Sequence, residues 1–333
     1  MRCNRFFAGR VTDGRLWRFF APASTGISHA WLDKNGTFPY LDRAITDRLF
    51  PMPLNALKPL PDYDHPGSFT PSPFSLRLFT QDKTNLDAQY DAPYTGGRLR
   101  VLVIAADQRH LNMQNGTCFS TGNHPVETLL PMIHLHKAGF AFDIATLSGG
   151  AVMFEEWAMP ARDQQVTDFR GLYADQFENP LKLDDVVGRL NGDCAAIFIP
   201  GGHGALLGLP KSDAVRQVLQ WALREGKFII SICHGPAAFL ALGPDNPLRG
   251  RRICAFPDLV DAMTPSIGYM PGKLTWKFCQ KLRAQGIVIT NRLATGATAQ
   301  DGRLLTGDSP LASNALGKLA ATELLKAARN GAI

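Results

Sequence analysis

The chain has 333 residues, 45% of them apolar and 19% charged, which is enough to bury a sizeable core in one large domain or two medium ones. This composition excludes a disordered or fibrous protein for most of the length, and no run of about 18 apolar residues predicts a membrane-spanning helix. The net charge of +6 is concentrated in residues 1–50, which carry eight basic and four acidic side chains. The remaining chain is nearly balanced, so we expect no basic groove for nucleic acid in the folded part.

Residues 1–50 have no convincing periodicity, and we interpret them as a poorly ordered basic tail. The alternatives are a basic amphipathic helix like that of a mitochondrial transit peptide, or sequence upstream of a true start at Met52. No secretory signal is expected. The six cysteines are scattered without zinc-finger spacing, which indicates free thiols in a reducing, cytoplasmic setting.

Residues 51–97 predict an extended arm. Seven prolines between positions 51 and 73 forbid long helices there. We expect the arm to pack on the body of the protein through its aromatic side chains, namely Phe69, Phe74, Phe79, Tyr90 and Tyr94.

From residue 98 to residue 330, apolar strands alternate with helices, which predicts an α/β domain with a flavodoxin-like parallel sheet sandwiched by helices. We expect strands at 99–106, 140–146, 195–199, 227–232, 252–256 and 287–290, and a hairpin near 303–306. We expect helices at 125–137, 184–190, 213–224, 236–242, 274–284 and 310–329. Residues 148–182 break the alternation and predict a small inserted cap. Sites in such sheets lie beyond the carboxyl ends of the strands, here the loops at 107–124, 200–209 and 233–236.

The strongest motif is Cys233-His234-Gly235-Pro236, which connects an apolar strand directly to a helix. A sharp turn of this kind pushes its side chain out above the sheet, as in a nucleophile elbow. Because free amides at a helix N-terminus stabilise a thiolate, we expect Cys233 to be a reactive, deprotonated nucleophile. A buried structural cysteine at a strand end is the alternative interpretation.

Several side chains are candidate partners of this thiol. His234 follows it directly, although adjacent side chains at a sharp turn usually diverge, and a carboxylate is needed to orient the imidazole. Asp258 and Asp261 follow the next strand, and spacing alone does not choose between them. Glu127, in the first turn of the helix at 125–137, is expected at the same sheet edge, where a carboxyl group beside a thiolate has a raised pKa and transfers protons. A structural role for Glu127 at the helix N-terminus is the alternative.

Two further motifs bear on a binding site. Gly201-Gly202-His203-Gly204 follows a strand, and its backbone amides can converge to form an oxyanion hole; the pattern does not match a phosphate-binding loop. His134 lies two residues before the next histidine on one helix, so the two side chains point away from each other and cannot bind the same ion. We expect one of this pair in the core and one on the surface.

From about Ser68 to Arg329 the chain resembles the HchA-type family of the ThiJ/PfpI superfamily, which includes heat-inducible chaperones, glyoxalase III and protein deglycases. Long segments carry this resemblance: VLVIAADQRHL, FSTGNHPVETLLPMIHLHKAGF, FEEWAMP, AAIFIPGGHGALLGLP, CHGPAAFLAL, DNPLRG, ICAFPD, IGYMPGKLTW and LLTGDSPLASNALGKLAATELL. The resemblance implies a homodimer with a small cap over the site. It also implies site roles: Cys233 as nucleophile, His234 and Asp261 as its partners, Glu127 in contact with the thiol, and the backbone of Gly202 and His203 as the oxyanion loop.

The chain departs from the family at a zinc site. The resemblance implies one histidine on the first long helix, one glutamate at the start of the next strand and one histidine in the cap. Here His136 keeps the first ligand, whereas Ala141 and Tyr173 occupy the other two positions. We therefore expect that no cofactor is required and do not carry the zinc site over.

The sequence leaves three candidate functions. The first is a cofactor-free, cysteine-dependent glyoxalase III and protein deglycase that acts on methylglyoxal, glyoxal and early glycation adducts of proteins, with glycated nucleotides left open. The second, implied only by the resemblance, is a holdase chaperone that binds unfolded polypeptides under stress. The third is an amidase or peptidase, which is disfavoured because the glutaminase-type Gly-x-Cys-x-Gly elbow is absent. No membrane partner is expected.

Overall fold

The computed structural model describes residues 54–333 and, before them, only two strands, Trp17–Phe19 (β1) and Ala30–Leu32 (β2), which pair antiparallel. The tail prediction and its helical alternative otherwise fall outside the described residues. The chain divides into two compact units, Met1–Ala56 and Leu57–Ile333. The second unit contains the arm from Leu57 onward, the α/β body and every candidate site residue.

The strands of the second unit are Leu60–Pro61 (β3), Ser68–Thr70 (β4), Arg100–Ile104 (β5), His110–Asn112 (β6), Cys118–Ser120 (β7), Ala141–Thr146 (β8), Leu181–Lys182 (β9), Cys194–Ile199 (β10), Phe228–Ile232 (β11), Arg252–Ile253 (β12), Val288–Ile289 (β13), Thr298–Asp301 (β14) and Leu304–Gly307 (β15). The α-helices are Pro73–Phe79 (α1), Pro125–Lys137 (α2), Gln164–Leu172 (α3), Ala174–Glu178 (α4), Leu183–Val187 (α5), Asp213–Arg224 (α6), Asp258–Met263 (α7), Phe278–Ala284 (α8) and Ser313–Arg329 (α9). Short 3-10 helices include Glu156–Ala158, His203–Leu206, Gly235–Leu242 and Pro310–Ala312.

The central sheet has seven strands in the order β14-β15-β11-β10-β5-β8-β9. Neighbouring strands run parallel, except in the terminal hairpin of β14 and β15. Parallel sheets need cover on both faces, and the continuous apolar run of β5 fits this requirement. The predicted α/β fold is therefore confirmed.

Alternating residues of β5 enter two different cores. Val101 and Val103 join the apolar cluster that includes residues of α2 and α9, whereas Leu102 and Ile104 join the cluster that includes residues of α6 and α8. At Gly317 of α9, an added Cβ would lie 2.6 Å from the His134 Cδ2 atom of α2. The two helices therefore approach each other so closely that only glycine fits between them.

His134 connects three segments of the chain. Its Nδ1 atom lies 2.7 Å from the Tyr90 hydroxyl of the arm, and its Nε2 atom lies 2.7 Å from Asn314 Oδ1 at the start of α9. It is fully buried, whereas His136 is exposed, so the prediction of one core and one surface histidine is confirmed.

The segments predicted as the last two strands of the sheet lie outside it. Residues 252–256 and 287–290 contribute only β12 and β13, which pair with each other. The place beside β11 is taken by β15, whose Thr306 hydroxyl accepts a hydrogen bond from the Cys254 amide at 2.8 Å. The apolar runs of β12 and β13 thus pack on the sheet without joining its ladder.

The boundaries of four predicted helices also differ from the structure. The helix expected at 184–190 ends at Val187, and the helix expected at 310–329 begins at Ser313, after a 3-10 turn over Pro310–Ala312. Residues 235–242 form a 3-10 helix, and the helix expected at 274–284 begins only at Phe278. The Asp258 carboxylate accepts hydrogen bonds from the amides of Cys279 and Gln280 at 3.0 and 2.8 Å, which satisfies the first turn of α8 and fixes its start.

The arm is more structured than an extended cover. It contributes β3 and β4 to a four-stranded sheet with β7 and β6, and it contains the short helix α1. As predicted, its aromatic side chains contact the body: Tyr94 stacks on Phe140 at 5.6 Å, and Phe79 meets Tyr269 edge-on at 5.6 Å.

The cap region at 148–182 contains α3, α4 and a 3-10 turn, and its last two residues form the edge strand β9.

Among the described residues, no helix combines the length and the apolar character needed to cross a bilayer.

Candidate active site

The elbow after β11 places Cys233 in a strained backbone conformation. Its φ of 58° is the only positive φ among the described residues other than glycine. The following residue starts the turn into the 3-10 helix Gly235–Leu242, and a Cβ at Gly235 would lie 2.5 Å from the Ile199 carbonyl oxygen. Strain of this kind is concentrated at functional sites, because it must be maintained by the surrounding structure.

Cys233, His234 and Asp261 form a triad in which the imidazole lies between the thiol and the carboxylate. The Cys233 Sγ atom lies 3.2 Å from His234 Nδ1, and His234 Nε2 lies 2.9 Å from Asp261 Oδ2. A backbone hydrogen bond from the Phe256 amide to the Cys233 carbonyl, 2.9 Å long, ties the segment before α7 to the elbow. The Phe256 ring also stacks on His234 at 4.9 Å, which fixes the orientation of the imidazole.

Asp261 serves a second histidine as well. His203 Nε2 lies 3.1 Å from Asp261 Oδ1, and the His203 and His234 rings are 4.0 Å apart. The two imidazoles and these hydrogen bonds hold the pKa of Asp261 well below its usual range against the opposing effect of burial. Because an ionised carboxylate only accepts hydrogen bonds, both Nε2 atoms carry protons and His234 Nδ1 is free to accept one from the thiol. Asp258 faces α8 and is not part of this group.

Glu127 extends from the first turn of α2 into the same site. It is fully buried, and neither carboxyl oxygen has a hydrogen-bond partner among the described residues. A Cβ at Gly201 would lie 2.1 Å from Glu127 Oε2 and 2.7 Å from the Cys233 Cβ, so the glycine lies between the two side chains. Burial raises the pKa of Glu127 well above its usual value, and the nearby Glu155 raises it further.

The structure opposes the free thiolate expected at Cys233. Cys233 is only 4% exposed, and burial together with the Glu127 carboxyl raises its pKa well above that of an ordinary cysteine. The Gly202 amide counteracts these effects. Burial thus favours the protonated forms of both Cys233 and Glu127, and their mutual repulsion disfavours the state in which both are ionised.

The glycine-rich loop divides its two predicted oxyanion donors between different partners. The Gly202 amide faces the Cys233 thiol and Glu127 and favours their ionised forms. The His203 amide instead donates to Glu155 Oε1 at 3.4 Å. A Cβ at Gly202 would lie 2.3 Å from the Gly122 carbonyl oxygen, so the loop requires glycine there.

Sequence reasoning missed three buried polar side chains around this site. The imidazole of His203 was considered only for its backbone, and neither Glu155 nor His124 was singled out. Burial lowers the pKa of His124 to about 3 and raises that of Glu155. Glu155 and His124 lie in the segments FEEWAMP and FSTGNHPVETLL, which carried the resemblance, and no other signal in the single sequence marks them.

The residues at the family's zinc position do not fit a zinc ion. The His136 Nδ1 atom lies 3.1 Å from the Tyr173 hydroxyl, and the rings meet edge-on at 5.8 Å. Residue 141, where the family has a carboxylate, contributes only the methyl group of alanine at the start of β8. One imidazole beside a neutral phenol is not a zinc ligand set.

Within the described part of the chain, one cluster brings three metal-ligating groups together: His203, His234 and Asp261. Both histidines use their Nε2 atoms for hydrogen bonds to the carboxylate, and all three side chains are buried. The hydrogen bonds of the two histidines to Asp261 therefore account for the grouping of the three side chains.

Comparisons with known proteins identify the family of the chain. The sequence profile of the DJ-1/PfpI family matches residues 118–319. Protein/nucleic acid deglycase HchA from Escherichia coli O157:H7 (strain EC4115 / EHEC) and its namesake from strain K12 / DH10B are each 55% identical to this chain over 273 residues, which cover 81% of this chain and 96% of each relative.

Solved structures share the fold at lower identity. Glyoxalase III from Candida albicans matches with a TM-score of 0.55 and 20% identity over 68% of this chain and 97% of its own. The Rapid Encystment Protein 24 KDa of Francisella tularensis matches with a TM-score of 0.56 and 19% identity over 68% and 99%. The chain therefore belongs to the DJ-1/PfpI family, within its group of HchA-type deglycases.

Proposed function

We propose that the protein is a cysteine-dependent glyoxalase III and protein deglycase that acts on methylglyoxal, glyoxal and early glycation adducts. The observation that carries this proposal is the 3.2 Å contact between the Cys233 thiol and His234 Nδ1, with Asp261 behind the imidazole and Glu127 beside the sulfur. The names of the 55% identical relatives support the same activity and extend the proposed substrates to adducts of nucleic acids.

The reaction begins with activation of the thiol by a base. His234 takes the proton of Cys233 through Nδ1 as the sulfur adds to the aldehyde carbon. Glu127 gives its own proton to the aldehyde oxygen, which completes the hemithioacetal and leaves Glu127 ionised. Asp261, ionised and only 2.9 Å from Nε2, stabilises the imidazolium that results. A buried thiol of raised pKa thereby becomes a nucleophile only when substrate is present.

The next step moves a proton between the two carbons of the adduct. The carboxyl group of Glu127 lies beside the sulfur without a competing hydrogen-bond partner, and its raised pKa brings it closer to neutral pH, as a group that both gives and takes protons requires. Removal of the proton from the first carbon and its return to the second converts the hemithioacetal into a thioester.

Hydrolysis completes the cycle. Water attacks the thioester and gives a proton to Glu127, His234 returns its proton to the Cys233 sulfur, and lactate or glycolate leaves. When the aldehyde carbon already carries a protein amine or thiol as an early glycation adduct, attack by Cys233 releases that group, which leaves with the proton of Glu127. No step requires a metal or an organic cofactor, because the side chains present supply nucleophile, base and acid.

The test is consumption of methylglyoxal without added glutathione by wild type, Cys233→Ala and Cys254→Ala. Cys254 is a matched control because it is also a buried thiol, bound to Thr290 away from the triad. We expect Cys233→Ala to abolish turnover and Cys254→Ala to retain it. Full activity of Cys233→Ala would disprove the proposal.

A second candidate function is a holdase chaperone, favoured by apolar side chains exposed on the arm. Tyr63 is 95% exposed, and Leu57 and Leu60 are each 44% exposed. We expect suppression of aggregation of an unfolded client to survive Cys233→Ala and to weaken in Leu60→Ser/Tyr63→Ser. Unchanged suppression in the arm variant would exclude this surface.

A further inference from the structure

Glu155 is a second buried carboxyl group at the active site. It precedes the 3-10 turn Glu156–Ala158 and is only 1% exposed. Its Oε1 atom accepts hydrogen bonds from the Thr121 hydroxyl at 2.5 Å and from the His203 amide at 3.4 Å. Its Oε2 atom is buried and has no partner among the described residues. A buried polar atom without a hydrogen-bond partner requires an explanation.

The surroundings of Glu155 favour its neutral form. Burial raises its pKa, while His203 and the hydrogen bonds from Thr121 and from backbone amides oppose this shift without cancelling it. The ionisable groups that face it include one imidazole, His203, which favours the carboxylate, together with Glu127 and the Tyr269 hydroxyl, neither of which is a cation. Because Oε1 already accepts two hydrogen bonds, the proton belongs on Oε2, where it is a donor without an acceptor.

We propose that Glu155 is a catalytic residue of the proposed glyoxalase and deglycase reaction. Its neutral carboxylic acid donates a hydrogen bond from the Oε2–H group to the carbonyl oxygen of the substrate bound to Cys233. This role rests on the proposed function and adds an oxygen-directed acid to it. It also explains the loop geometry: the His203 amide does not reach the oxyanion itself but holds the acid that does. A neutral carboxylic acid in a buried site is an established way to stabilise an oxyanion.

The proton balance of this step is closed. In the hemithioacetal of methylglyoxal, Glu127, which the first step leaves ionised, removes the hydrogen of the first carbon. The enediolate oxygen that forms on the second carbon accepts a hydrogen bond from the Glu155 Oε2–H group. The hydroxyl proton of the first carbon then passes to the oxygen of the second, and Glu127 returns its proton to the second carbon. The product is the thioester; Glu127 is again in the state in which this step began, Glu155 keeps its proton throughout, and no oxidant or reductant is needed.

The kinetic test compares Glu155→Gln, Glu155→Leu and Glu156→Gln. The neighbouring Glu156 is an exposed control that is paired with Arg170. We expect Glu155→Leu to lower kcat for methylglyoxal by about 10²–10³-fold, the usual effect of removing an oxyanion donor. Glu155→Gln, which keeps a neutral hydrogen-bond donor for the oxyanion, should lose no more than about tenfold. Glu156→Gln should match wild type.

Two kinetic outcomes would overturn the proposal. Wild-type kcat in Glu155→Leu would show that no catalytic donor was removed. Equal, complete inactivation of a folded Glu155→Gln would show that the group acts as a carboxylate base rather than as an acid.

An infrared difference spectrum separates this inference from the proposed function and does not need the leucine variant to fold. Wild type minus Glu155→Gln, both full-length at pH 7, should show the carbonyl stretch of a protonated carboxylic acid. Loss of a carboxylate band instead would refute the inference even if methylglyoxal turnover is normal. If the acid band is present but wild type fails to convert methylglyoxal, the proposed function fails, while the protonation of Glu155 stands.

Discussion

The Cys233 sulfur and the His234 Nδ1 atom face each other across 3.2 Å although they belong to consecutive residues. Consecutive side chains usually point apart, and the positive φ of Cys233 removes that separation by turning the thiol toward the following imidazole. The strained elbow therefore has two effects: it directs the sulfur to the carboxyl edge of the sheet, and it brings the imidazole that we propose as base within reach of the sulfur. This pairing distinguishes the site from one in which a helix terminus alone activates the thiol.

Asp261 and Asp258 provide a matched pair of carboxylates three residues apart. We expect Asp261→Ala to lower kcat for methylglyoxal about 10²–10⁴-fold, because His234 loses its orienting charge. Asp258→Ala should keep kcat near wild type but reduce the free energy of unfolding by about 0.5–2 kcal/mol, because the first turn of α8 loses its capping hydrogen bonds. Steady-state kinetics and denaturant titration measure the two effects. Similar kcat values for both variants would contradict the assignment.

The raised pKa of Glu127 predicts a pH-dependent stability difference. A carboxyl group whose folded pKa is above its unfolded value of about 4.3 contributes stability below that value and loses it as the pH rises through the folded pKa. Glu127→Gln never ionises, so its gain in Tm over wild type should be larger at pH 8 than at pH 5, while turnover is lost. An equal or smaller gain at pH 8 would argue against a neutral Glu127.

The pair of His136 and Tyr173 predicts that zinc binding can be restored by substitution. We expect Ala141→Glu/Tyr173→His to complete a His₂Glu ligand set and to bind about one equivalent of zinc, with a rise in Tm on zinc addition. Tyr173→Phe, which removes only the hydroxyl contact, is the control and should show no zinc response. Metal analysis after dialysis and thermal melts are the measurements. A zinc-induced Tm rise in wild type that Tyr173→Phe retains and His136→Ala loses would show that this position holds zinc without the two missing ligands.

Two helical glycines are predicted to respond oppositely to alanine. Gly317→Ala places a Cβ 2.6 Å from the His134 ring and should reduce the free energy of unfolding by about 1–3 kcal/mol, the usual effect of overpacking. Gly171→Ala has open space around it and should raise this free energy by about 0.5–1 kcal/mol through helix propensity. Urea titrations of both variants decide the point, and a neutral Gly317→Ala would mean that α2 and α9 separate easily.

The sequence predicted what depends on local pattern. The boundaries of α2 and α6 agree to the residue, because a proline at the start of α2 and glycines just beyond both helices mark the ends of regular apolar periods. The catalytic loop after β11 was also placed correctly by its strand-to-helix turn. The last two sheet strands were not, because an apolar run reports burial rather than the identity of its hydrogen-bond partner.

The protonation states could not be predicted from the sequence, because they depend on groups that meet only in the folded chain. The Cys233 thiol was expected to be ionised on the basis of the next few residues alone. In the structure it is enclosed beside Glu127, which comes from a helix more than a hundred residues earlier, and this changes the direction of its pKa shift. The second use of Asp261 by His203 has the same origin in tertiary contact.

Helix α2 carries the Glu127 carboxyl group in its first turn, and near its other end His134 contacts Tyr90 and Asn314. The contacts of His134, near the C-terminal end of the helix, thus help to hold Glu127, at its N-terminal end, in position. Substitutions at those contacts, distant from any substrate, would change turnover without altering a single pocket residue. Searches for faster variants of this protein should therefore include Tyr90 and Asn314, which contact the far end of the helix rather than the triad.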